Sequence, residues 1–89
     1  MLKLTNRAVV LVQKLLDEFG ALPSEAVRIT SRVGDDLQYD IDAQRPGDMV
    51  VEREGRKLLI VGHLLGQSLE RFTVDAQERP EGVCLLLLP

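Results

Sequence analysis

The chain has 89 residues, of which 45% are apolar and 28% charged, with a formal net charge of -3. That length fits one domain spanning 1–89, able to bury a little over about 60% of its unfolded surface. The apolar share excludes disorder, and eleven Lys and Arg scattered among fourteen acids exclude a basic stripe for nucleic acid.

Thr5 is a good N-cap, and Ala8, Val9, Val12, Leu15, Leu16 and Phe19 recur at spacings of three and four until Gly20. The spacing predicts a helix over Asn6 to Phe19, entered directly from the N-terminus. After the break at Ala21-Leu22-Pro23-Ser24, the β-branched run from Ala26 to Arg32 predicts a strand. Leu37, Tyr39 and Ile41 alternate with Gln38, Asp40 and Asp42, which predicts a second strand beyond a Gly34-Asp35-Asp36 turn. Arg45-Pro46-Gly47-Asp48 suits a type II turn. Asp48 to Arg53 and Arg56 to Val61 flank Glu54-Gly55 and predict an antiparallel hairpin.

Gly62 to Arg71 reads as a short helix with Leu64, Leu65, Ser68, Leu69 and Phe72 on one side and Gly66 in its middle. Thr73 to Ala76 is a further short strand, Arg79-Pro80-Glu81-Gly82 a turn, and Val83 to Leu88 the last strand. The fold class is therefore α+β, a compact, mostly antiparallel sheet or sandwich with an N-terminal helix and a second short one. No stretch approaches the roughly 20 apolar residues of a membrane span. The start lacks the pattern of a signal peptide, so a cytoplasmic location is expected.

Few residues invite chemistry. Cys84 is the only cysteine, so within one subunit it has no partner for a disulfide, zinc site or cluster. No Lys, Arg or His stands beside it in sequence to activate a thiolate. His63 is the only histidine, and one imidazole cannot build a metal site. No nucleophile elbow or phosphate loop is present. Asp40 and Asp42 would project from one face about 7 Å apart, but their alternation with apolar residues describes a solvated face. Asp35 and Asp36 could give oxygen ligands to a hard cation, although turn chemistry accounts for them. In the last strand, Val83, Leu85 and Leu87 face one way and Cys84, Leu86 and Leu88 the other. Both faces are apolar, so either both are covered inside the subunit or Cys84, Leu86 and Leu88 mark an interface.

The order of elements and several segments resemble the A-type iron-sulfur carrier family, the HesB/IscA-like domain. The resemblance rests on Leu4-Thr5-Asn6-Arg7-Ala8 at the start of the helix and on the acidic hairpin Gly47 to Gly55. It continues through Lys57 to Val61, His63 to Leu69, Thr73 to Ala76 and Glu81-Gly82-Val83. It implies the HesB-like fold and self-association. Members of that family hold iron or clusters through one cysteine after the first inner strand and a Cys-x-Cys pair in a C-terminal tail, because iron-sulfur clusters need soft thiolates. At the first position this sequence has Gly34, or Asp35 if the alignment slips by one. It stops at Pro89, where the tail would begin, and Cys84 matches no ligand position.

The resemblance thus implies a cysteine-poor branch: a non-enzymatic accessory or interaction module related to iron-sulfur cluster biogenesis, with no catalytic residues and no cofactor expected. The alternative is an iron or iron-sulfur cluster binder that uses Cys84 across a dimer interface, with Asp35 or Asp36 as weak candidate ligands. The partner expected is a second copy or another protein, with neither nucleic acid nor membrane involved.

Overall fold

A computed structural model describes residues 1–89. Its elements are β1 (Lys3–Leu4), α1 (Asn6–Phe19), β2 (Glu25–Val33), β3 (Asp36–Ala43), β4 (Met49–Arg53), β5 (Arg56–Val61), α2 (His63–Leu69), β6 (Thr73–Arg79) and β7 (Gly82–Leu88). No helix is long and apolar enough to cross a membrane.

Helix α1 has the predicted ends for the predicted reasons. Thr5 Oγ1 accepts from the Ala8 N–H at 3.1 Å, and Gly20 adopts the left-handed conformation that lets its N–H return to the Asp17 carbonyl. Ala8, Leu11, Val12, Leu15 and Leu16 form its buried stripe, each large aliphatic contributing about 1.5–3 kcal/mol by leaving water.

The strands form one seven-stranded sheet in the order β1-β6-β7-β3-β2-β5-β4, curled around the core rather than split into two layers. It is mostly antiparallel; β1 with β6 and β2 with β5 are the parallel pairs. The concave side carries Val27 and Ile29 of β2, Leu37 of β3, Leu59 and Val61 of β5, and Leu85 and Leu87 of β7 in one cluster with α1. The turns follow from backbone chemistry: Gly47 sits at φ 85 with Asp48 N–H bonded to the Arg45 carbonyl, and both Glu54 and Gly55 have positive φ, as a two-residue hairpin turn requires.

Three expectations need correction. The N-terminus does not lead straight into α1: Lys3 and Leu4 first pair in parallel with Thr73 and Val74. Helix α2 is shorter than Gly62 to Arg71, and Leu64 and Ser68 do not belong to its buried side; Leu64 is 80% exposed. The buried positions are Gly66 and Leu69, because at Gly66 the helix packs directly against the Met49 side chain of β4. Strand β6 runs on to Arg79, three residues past Ala76, pairing with β7 along its whole length.

Candidate functional site

Strand β7 lies between β6 and β3, yet only one of its faces is covered. Leu85 and Leu87 are buried in the core with Val83 packed against them, whereas Cys84 and Leu86 are half-buried and Leu88 is 38% exposed. The alternation of side chains along a strand places those last three together on the convex side. Cys84 is therefore not a core residue, and it is a free thiol.

The neighbourhood of Cys84 is set by a divergence between strands. β3 and β7 pair only at Asp36 with Leu86 and Leu37 with Leu85, extended by Leu87 N–H to the Asp35 carbonyl at 2.8 Å. Beyond that the two strands splay, and the Tyr39 hydroxyl spans the gap by donating to the Val83 carbonyl. Burial, with the neighbouring Cys84 sulfur adding to it, pushes the Tyr39 phenol above its ordinary range. The splay leaves a pocket of about 340 Å³ lined by Asp36, Gln38, Tyr39, Arg79 and Cys84 among others.

Of the residues singled out from the sequence, the fold brings Cys84 and Asp36 to one pocket and leaves the others apart. Asp35 sits exposed in the turn, its carboxylate 3.9 Å from the Arg32 guanidinium. His63 is exposed at the first position of α2, with its Nε2 3.3 Å from the Gln67 side-chain nitrogen. No group of three or more His, Cys, Asp or Glu side chains is arranged to hold a metal ion.

Two ionic clusters escaped sequence reasoning because their members are far apart in the chain. Asp75 on β6 receives Arg7 from α1 and the Thr5 hydroxyl at 2.6 Å, which hold its carboxyl down at about 2. Arg28 on β2 donates to Asp42 at 2.8 Å, to Asp48 at 2.6 Å and to the Ala43 carbonyl at 3.0 Å. Those hydrogen bonds keep Asp48 below the usual carboxylate range; in Asp42 the Ala43 N–H contributes most and Arg28 next. Both clusters have every buried polar atom satisfied, so they read as clasps that fix loops and helix ends. Arg79 was also missed: the sequence placed it in the Arg79-Pro80-Glu81-Gly82 turn, and only the β6–β7 register carries it to the Cys84 pocket.

No family model matches the sequence, and no curated protein is detectably similar to it. Solved structures do share its fold. A crystal structure of IscA with the [2Fe-2S] cluster superposes with a TM-score of 0.64 at 18% identity, covering 99% of this chain and 84% of that one. A solution structure of a protein from Aquifex aeolicus gives 0.74 at 22% identity, covering 99% and 90%. Escherichia coli SufA, involved in biosynthesis of iron-sulfur clusters, gives 0.68 at 21% identity, covering 98% and 83%. The resemblance in element order is thus a likeness of the whole fold.

Proposed function

We propose that this chain is a non-enzymatic IscA-like domain protein, an accessory or interaction module of iron-sulfur cluster biogenesis that works in the cytoplasm and does not carry a cluster by a three-cysteine mode. The fold it shares with IscA and SufA supports the link to that process. The observation that carries the second half is the β2–β3 turn. It is closed by Gly34 at φ 61 and by the exposed Asp35, so the place where the family's first thiolate would stand offers only oxygen. The chain's single thiol is on another strand, on the convex face. Anaerobic reconstitution with iron and sulfide tests this: the expected result is no thiolate-to-iron absorption in the visible range.

A second reading keeps iron. It is favoured by one observation, that Cys84 is half-open to solvent rather than sealed in the core and shares a pocket with Asp36. Two copies could then supply two thiolates, with oxygen ligands completing the coordination. A visible band that vanishes in Cys84→Ser would establish that reading and overturn the first.

A further inference from the structure

We infer that the free edge of β3 from Tyr39 to Ala43 takes up an extended peptide segment of another protein, one that alternates apolar with basic side chains. The inference deepens the reading of the chain as an interaction module, on which it rests, by stating the chemistry of the partner.

β3 is paired along its whole length with β2, but with β7 only at Asp36 and Leu37. The Leu87 N–H bonds to the Asp35 carbonyl on the β7 side, and main-chain groups alternate in direction along a strand. The odd-numbered residues of β3 therefore turn their N–H and C=O groups toward β7, and the even-numbered ones toward β2. Continued, the register would set Tyr39 opposite Val83, but the strands have separated there and the Val83 carbonyl takes the Tyr39 hydroxyl instead. The N–H and C=O groups of Tyr39 and Ile41 are left without a hydrogen-bond partner in the subunit. An edge of this kind is a template for another strand, which supplies the missing main-chain partners.

The walls of the vacated lane select the side chains of that strand. On the α1 side lies a cleft of about 330 Å³ whose apolar surface comes from Leu15 and Phe19 of α1 with Tyr39 and Val83. Phe19 is 68% exposed there, so an apolar side chain entering the cleft covers it. The rim is acidic. Glu18, Glu78 and Glu81 border the cleft and Asp40 stands between Tyr39 and Ile41, against Lys14 and Arg79 as the only cations. Lys14 is shared by Glu18 and Glu78, and Arg79 bonds to the Gln77 side chain. Asp40 and Glu81 are exposed and have no cation of their own. Alternation along an extended chain then sends apolar side chains into the cleft and basic ones to the face of Asp40, with Glu81 at the end of the lane.

Amide hydrogen exchange read by NMR on the intact chain tests this, with a heptapeptide of alternating lysine and valine as the probe. In the free protein the Tyr39 and Ile41 amides should exchange faster than those of Gln38 and Asp40, which face β2. Saturating peptide should slow both at least about tenfold, and N-methylation of the peptide amides should abolish that protection. Asp40→Lys with Glu81→Lys should weaken binding at least about tenfold, without lowering the melting temperature, since neither carboxylate has an ion pair to lose. The same double variant should accept a glutamate-valine peptide that the unaltered chain refuses. Tyr39 and Ile41 amides already slow in the free chain, protection that rises with protein concentration alone because a second copy fills the edge, or protection that survives N-methylation would each overturn the proposal. So would peptide binding that leaves both amides unprotected. Cluster uptake is read separately: unprotected amides without a thiolate-iron band sink the peptide edge alone, and protected amides with such a band sink the proposed function alone.

Discussion

Arg7 and Asp75 are 68 residues apart in sequence and meet at the junction of the first helix with the penultimate strand, where the Arg7 guanidinium holds both oxygens of the carboxylate. The pair locks the start of α1 onto β6. Its pH dependence follows from the Asp75 carboxyl, which ionises at about 2 instead of 3.8. A depressed folded pKa means that the stabilisation is complete above about pH 4 and is lost as pH falls through about 2. The shift corresponds to about 2 kcal/mol. Acid titration of the melting temperature should therefore show a loss between pH 4 and 2 that is reduced in Asp75→Asn; an unchanged acid limb in that variant would contradict the assignment.

Thr5 joins the same cluster in a double role. Its hydroxyl oxygen accepts from the Ala8 N–H while its proton goes to Asp75, so one side chain caps α1 and satisfies the carboxylate. Thr5→Ala should cost about 1–2 kcal/mol, and Thr5→Ser should recover most of it. Thr5→Asp separates the roles, since aspartate caps well but sets a second carboxylate against Asp75. Chemical denaturation at neutral pH should rank Thr5→Asp below Thr5→Ser.

What could be read from the sequence depended on how local its cause was. Helix α1 was legible to the residue because Thr5 and Gly20 end it through contacts within a few positions. The β4–β5 hairpin was legible because Glu54-Gly55 can make only a tight turn. Strand β1 was not, being two residues long and parallel to a strand about 70 positions away, which leaves no periodicity to detect. Leu64 misled because hydrophobicity alone put it on the buried side of α2, whereas the approach of Gly66 to Met49 rotates it into solvent. For the candidate site, alternation alone grouped Cys84 with Leu86 and Leu88. Their shared openness to solvent depends on the sheet's having a helix over one face of β7 only, a tertiary fact with no local signature.

Arg28 gives a test of a buried clasp. Its side chain is 11% exposed and that of Asp48 6%, so removing Arg28 leaves the Asp48 carboxylate out of water without its ion-pair partner. Arg28→Ala should destabilise the protein by about 3–5 kcal/mol. Arg28→Lys should be nearly as harmful, because one ammonium cannot replace a planar fork bonded to Asp42, Asp48 and the Ala43 carbonyl together. A lysine variant with wild-type stability in urea would show that charge alone suffices there.

Gly66 separates helix propensity from packing. A Cβ at this position would stand 2.8 Å from Met49 Cε, too close unless the methionine moves. That atom is the tip of a flexible side chain, so a single methyl should displace it at modest cost. Alanine also favours the helix by about 1 kcal/mol over glycine. The two effects oppose each other, and Gly66→Ala should change stability by no more than about 1 kcal/mol. Gly66→Leu has no such escape, since its branched end must enter space already held by the whole Met49 side chain; a loss of about 1–3 kcal/mol is expected. Thermal melts of both variants decide the matter. If alanine proves as damaging as leucine, α2 is held against β4 by a contact that cannot yield, and the tightness of that approach rather than the identity of Met49 is what requires glycine.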